Sequence, residues 1–183
     1  MAIKTMSAST GGSSFEEGWH EVTISKAEYG IYETVTGDSK NFLDVWFEGY
    51  PDSMNLRVYE VFNKTTKEEF NIANIFKYAN AGVVGVLKDP NGKHPIIQYD
   101  DDAKGLIGKN INILLYKDPK NPKYNRVLDR IAPVVQEGEH LSYTATDVDS
   151  IKSGVEKRVK GMLEKTAANA SAVAQSEPFT NQF

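Results

Sequence analysis

The chain has 183 residues, 40% hydrophobic and 25% charged, which is apolar matter for one core and roughly one domain's length with appendages. Its 21 Lys and Arg against 25 Asp and Glu give a net charge of −4, excluding a strongly basic nucleic-acid binder while leaving room for a local basic patch. The absence of cysteine excludes disulfides, thiolate catalysis and Cys-ligated zinc or iron–sulfur clusters. No apolar run approaches the roughly 18 residues of a membrane helix, and MAIKTMSASTGGSS lacks the apolar h-region of a signal peptide, so a soluble cytoplasmic protein is expected.

Residues 1–17 are rich in Ser, Thr and Gly and predict a flexible N-terminal arm. From Trp19 the pattern changes, and WHEVTISKAEYGIY places Val22 and Ile24 on one face of a first strand. Thr36-Gly37-Asp38-Ser39 reads as a turn, KNFLDVWFEGY as a second strand, Pro51-Asp52-Ser53 as another turn and LRVYEVFN as a third strand. The period then becomes helical: Thr66 N-caps a helix with Glu69 completing a capping box, and Phe70, Ile72, Ile75, Phe76 and Ala79 face the core. That helix should end before Gly82. Residues 83–105 read as a loop holding at most one short strand or helix. GKNINILLYKD supplies a fourth strand, DPKNPK a turn and YNRVLDRIAPV a fifth.

The order β-β-β-α-β-β predicts an all-β-dominated fold, a five-stranded OB-type barrel with one helix between strands three and four. A helix-on-sheet α+β domain shares that order and stays open as the alternative. The folded domain spans residues 18–135, followed over 136–165 by a linker and an amphipathic helix. Thr146 or Asp147 caps this helix over 147–165, with Val148, Ile151, Val155, Val159 and Met162 on one stripe and Lys152, Lys157, Arg158 and Lys160 opposite. Residues 166–183 read as a flexible C-terminal tail.

Signatures of catalysis are missing. His20, His94 and His140 lie far apart with no metal-ligand spacing, NGKHP does not satisfy a phosphate-loop pattern, and neither GxSxG nor GxGxxG occurs. Asp100 to Asp102 lack the alternation of a calcium loop and read as a solvated acidic run. The expectation is a protein that is not an enzyme, with no catalytic residue, cofactor or metal.

The charge, however, is segregated. Residues 104–130 hold Lys104, Lys109, Lys117, Lys120, Lys123, Arg126 and Arg130 against Asp118 and Asp129, an excess of +5, and the rest of the chain carries −9. On strand two, Leu43, Val45 and Phe47 make the core face, leaving Lys40, Phe42, Asp44 and Trp46 to point outward. On strand three, Leu56, Val58 and Phe62 point inward and Arg57, Tyr59 and Val61 outward. Exposed rings call for a cover, and single-stranded nucleic acid is one: unpaired bases stack on aromatics while phosphates meet nearby cations. Lys40, Phe42, Trp46, Arg57 and Tyr59 are the candidate binding face. At its rim the turn brings Lys117, Lys120 and Lys123 between Tyr116 and Tyr124, and Arg126 and Arg130 share one face of strand five as candidate phosphate contacts. The competing possibility is that the C-terminal helix or Phe15 simply covers Phe42 and Trp46.

EGWHEVTISKAEYGIYETVTGDSKNFLDVWFEGY resembles the opening of small bacteriophage single-stranded-DNA-binding proteins, in which a G-x-Y/H-x-V-x-I strand leads into a K-x-L-x-V-x-F strand. FNIANIFKYANAG is similar to the helix before their fourth strand, and GLIGKNINILLYKDPKNPKYNRV to the hairpin that closes their barrel, so the likeness covers residues 18–132. It implies an OB fold, non-catalytic protection of single-stranded DNA during phage replication or recombination in the infected cell's cytoplasm, and a C-terminal tail that recruits replication or recombination enzymes. Phe42, Trp46, Arg57 and Tyr59 carry over as base and phosphate contacts, and Glu177, Phe179 and Phe183 as the partner-binding tip. Such tails are rich in Asp and Glu, whereas here Glu177 is the sole acid of residues 166–183. The amphipathic helix could instead support a homo-oligomer. The rival expectation is a non-catalytic virion or assembly protein that uses the aromatic face as a subunit interface.

Overall fold

The computed structural model describes residues 15–35, 37–88, 95–118 and 121–175. It is mostly β, with two α-helices and antiparallel sheets. Five strands form the main sheet: β1 (Gly18–Glu33), β2 (Ser39–Phe47), β3 (Leu56–Tyr59), β6 (Asn110–Asp118) and β7 (Asn121–Ala132). Helix α1 (Asn71–Ala79) precedes a hairpin of β4 (Val83–Leu87) and β5 (Ile96–Tyr99), and α2 (Ala145–Gln175) ends the described chain. No helix among the described residues is long and apolar enough to cross a membrane.

The strand order is β3-β2-β1-β6-β7. β1 reaches both halves because it is long: Gly18 to Thr23 pair with β6, and Ile24 to Glu33 with β2. The register slips between Ile24 and Lys26, leaving Ser25 as an extra residue on β1. Such a bulge bends a strand and resets its alternation. Val22 and Ile24 before it and Ala27 after it consequently all face the core.

Curling brings the two outer strands together, with Cα atoms of β3 and β7 within 8 Å. No ladder joins them among the described residues, so the expected closed barrel is a curled sheet with an open seam. A side chain spans that seam. Asn71 Nδ2 donates to the Tyr59 carbonyl at 3.0 Å, and Arg130 Nη1 donates to Asn71 Oδ1 at 3.3 Å.

Inside the curl, Leu43, Val45, Phe47, Leu56 and Val58 pack on Ile111, Ile113 and Leu115 and on α1, as the alternation predicts. The helix contributes Ile72, Ile75, Phe76 and Ala79, all buried. Its start differs from the expected Thr66 cap. Residues 60–70 fold back in a turn, with Asn63 Oδ1 accepting from the Thr65 and Thr66 amides and Lys67 in the left-handed region at φ 61°. Helical hydrogen bonding begins at Phe70, the N-cap residue, whose carbonyl accepts from the Asn74 amide at 3.3 Å and whose ring is exposed; the capping side chain is that of Glu69 one residue earlier, its carboxylate accepting from the amides of Asn71, Ile72 and Ala73 at 2.8, 3.0 and 2.8 Å. The same turn stops β3 at Tyr59, so Phe62, expected inside, is 52% exposed.

Three further segments depart from expectation. Residues 83–105 contain the β4–β5 hairpin and a 3₁₀ turn (Ala103–Leu106) instead of one short element. The linker after Pro133 is strapped to the end of α1, where Gln136 Nε2 donates to the Tyr78 carbonyl and Asn80 Nδ2 to the Leu141 carbonyl. Helix α2 starts earlier and runs further than 147–165. Thr144 and Asp147 cap it reciprocally, Thr144 Oγ1 accepting from the Asp147 amide while Asp147 Oδ2 accepts from the Thr144 amide and hydroxyl. It continues to Gln175 through TAANASAVAQ, half of it alanine, the strongest helix former. Its composition predicts a flexible tail from residue 166, and the helix occupies the first ten of those residues.

α2 packs on the outside of the sheet at β6 and β7. Val155 and Val159 meet Leu114, Leu128, Trp19 and Tyr116, and Trp19 Nε1 donates to Glu156 Oε1 at 2.7 Å. Lys152, placed by helical spacing on the opposite face, lies over the Trp19 ring at 5.5 Å, and Met162, placed on the apolar stripe, is exposed.

Candidate nucleic-acid interface

The register fixes what the outer face of β1, β2 and β3 displays. Lys26 pairs with Trp46; Glu28 with Asp44 and Asp44 with Arg57; Gly30 with Phe42 and Phe42 with Tyr59; Tyr32 with Lys40. The expected outward set on β2 and β3, Lys40, Phe42, Trp46, Arg57 and Tyr59, therefore shares one surface. Neither proposed cover lies on it. α2 rests on β6 and β7, and Phe15 stacks against Tyr50 with centroids 4.7 Å apart.

The rings are neighbours rather than isolated. Tyr59 stands edge-on to Phe42 at 5.9 Å and to Tyr32 at 6.3 Å. Phe42, half-buried, lies on the Gly30 backbone, where a missing Cβ makes room for it. The Arg57 guanidinium lies over the other side of the cluster, its Cζ 4.0 Å from the Phe42 centroid. Trp46, also half-buried, carries the Lys26 ammonium 4.5 Å from its ring centre, and Lys26 is itself paired with Glu28 at 2.9 Å.

Arg57 is clamped. Its Nε and Nη2 donate to the two carboxylate oxygens of Asp44 at 2.8 and 2.6 Å. Asp44 is 6% exposed, while the Arg57 side chain is 45% exposed. The hydrogen bonds that Arg57 donates to Asp44, with a lesser one to Tyr59, raise the already high guanidinium pKa, so the plate is permanently cationic.

Beside this face, across the seam between β3 and β7, lies a cavity of about 890 Å³. Arg57, Lys117, Lys123 and Arg126 line it against one carboxylate, Asp129. Lys117 also approaches Glu17 at 4.0 Å, and its amide donates to Glu17 Oε1 at 2.9 Å, which pins the end of the N-terminal arm. The cations of the β6–β7 turn and the aromatic face thus adjoin through Arg57.

Arg126 and Arg130 have different surroundings. The β6–β7 register slips between Ile113↔Ile131 and Leu115↔Val127, which breaks simple alternation. Arg126 lines the groove, whereas Arg130 reaches Asn71 and Asp129. Lys120, Glu177, Phe179, Phe183 and the Tyr124 side chain lie outside the described residues, as do residues 1–14 of the arm. Among the described residues no cluster of three or more His, Asp or Glu side chains could hold a metal ion.

Three features of the site escaped the sequence reading: the Gly30 seat, the Asp44 clamp and the Lys26 cap on Trp46. A glycine inside a strand pattern was the available signal for the first. The other two need the pairing register. No family model matches the chain, and neither does any curated protein sequence.

Proposed function

We propose that this protein is a sequence-nonspecific single-stranded-DNA-binding protein of the OB type, binding by base stacking and phosphate neutralisation, non-catalytic, and serving phage replication or recombination. The observation that carries the proposal is the contiguity of an aromatic outer face, on which neither α2 nor Phe15 rests, with a cation-lined groove. Strand order supports the OB part: a long, bulged first strand shared between two halves, a helix between the third and fourth sheet strands, and outer strands curled to within 8 Å are what a barrel of that type requires.

Chemically, the two surfaces divide the work. Phe42, Tyr59 and Trp46 offer π-faces that every base can use, which gives affinity without sequence preference. Lys117, Lys123 and Arg126 offer charge to the phosphates between bases. Binding of oligo-dT, followed on filters at several salt concentrations, tests this. Affinity should fall with salt at a slope near −0.7 per phosphate contact, and Trp46→Ala should weaken it strongly. No detectable binding at low salt refutes the proposal.

The β4–β5 hairpin, with Val84 63% exposed and Leu87 48% exposed, favours a second reading, a non-catalytic assembly module. Its aromatic face would then be a subunit interface. Light scattering separates the two readings, because a large oligomer indifferent to oligonucleotide supports only the second.

A further inference from the structure

We infer that Arg57 is a base-stacking plate positioned by Asp44, and not a phosphate ligand, an assignment that rests on the single-strand reading above. The side chains form a column rising from β1: the Gly30 backbone, the Phe42 ring on it, and the Arg57 guanidinium 4.0 Å above the ring centre. Each layer fixes the next. Gly30 admits the ring, and Asp44 holds the plate with two parallel hydrogen bonds of 2.8 and 2.6 Å. A planar guanidinium so held loses little freedom when a base lies on it, and bases stack on guanidinium planes as on aromatic rings.

The charges argue the same way. Asp44 is 6% exposed and gives both oxygens to Arg57, so the pair is locally neutral. A phosphate approaching Arg57 meets the Asp44 charge directly behind it. The groove beside it offers three cations, Lys117, Lys123 and Arg126, against Asp129 in its lining and Glu17 at 4.0 Å from Lys117, an excess of positive charge that the Arg57–Asp44 pair lacks. Arg57 sits where face and groove meet, so a strand stacked on the plate delivers its backbone to those cations.

Substitutions that separate planarity from charge test the assignment, using the full chain with oligo-dT and an abasic strand of equal length. Arg57→Lys keeps the charge and loses the plane; it should weaken dT binding about fivefold or more, leave the salt slope unchanged, and leave abasic binding as in wild type. Asp44→Asn makes the protein more positive yet loosens the plate, and should also weaken dT binding. Tighter dT binding by Asp44→Asn with a steeper salt slope, or wild-type affinity in Arg57→Lys, overturns the assignment and leaves the single-strand reading intact. Equal wild-type affinity for dT and abasic strands overturns stacking altogether, and no wild-type binding to either removes the reading itself. Should Asp44→Asn fail to fold, Arg57→Lys on the two strands decides alone.

Discussion

The seat beneath Phe42 allows the geometry of the face to be perturbed without touching an aromatic or a charge. A methyl added at Gly30 would lie 2.7 Å from Phe42 Cε2, and closer still to Cζ, so the ring must retreat by more than 0.7 Å to reach ordinary contact at 3.4 Å. The obstacle is the far end of a side chain, so the fold can accommodate it. A ring pushed about 30° off its rotamer costs about 0.5–1.5 kcal/mol. Replacing a strand glycine by alanine returns about 0.5–1 kcal/mol in chain entropy, and the two nearly cancel. Gly30→Ala should therefore unfold in urea within about 1 kcal/mol of wild type. Binding should respond differently, because the displaced ring takes the Arg57 plate and the Tyr59 edge contact with it. One disrupted stacking position is worth about 1–3 kcal/mol, so the dT affinity should drop by about fivefold or more at constant salt. Fluorescence titration with poly-dT and a urea curve on the same preparation measure both quantities. A folded Gly30→Ala protein that binds like wild type would refute a face organised around Phe42.

Other substitutions probe neighbouring parts. Trp46→Ala should cost about 1–3 kcal/mol of binding, and base contact should quench Trp46 emission in the native chain while Trp19, held under α2 by Glu156, serves as the reference. Glu69→Ala leaves three α1 amides and the Val61 amide without their acceptor, and should lower stability by about 1–2 kcal/mol, seen as a shifted urea midpoint. Phe76→Ala empties a fully buried site stacked on Tyr99 at 5.2 Å and should cost about 3–5 kcal/mol. At the start of α2, hydrogen bonds from Thr144 hold the Asp147 carboxyl below its usual pKa of 3.8. A depressed value stabilises the fold above the unfolded-state pKa and is lost as pH falls through the folded one, so α2 should loosen below about pH 4. Thr144→Ala should abolish that acid step in Trp19 emission.

Alternation and helical period carried most of the fold. The core faces of β2 and β3, the buried stripe of α1 and the outward placement of Phe42, Trp46 and Tyr59 follow from side-chain parity alone. Element ends were less legible. The Asn63–Lys67 turn looks like a helix start because Thr66 and Glu69 have capping-box spacing, and only the backbone reveals that Glu69 caps from outside. The end of α2 is illegible because its small residues leave no apolar stripe to mark a helix, although its alanines favour one. At the site, Asp44 and Arg57 are 13 residues apart, and nothing local marks them as partners. Their pairing becomes visible once Phe42 is set opposite Tyr59, since a two-residue step along both strands then brings them side by side.

The join between the first and last thirds of the sheet is made by an amide strut, Asn71, reaching the Tyr59 carbonyl on one bank and Arg130 on the other. A curled sheet whose outer strands are braced by a side chain can part at that seam by a rotamer change, with every strand pair left zipped.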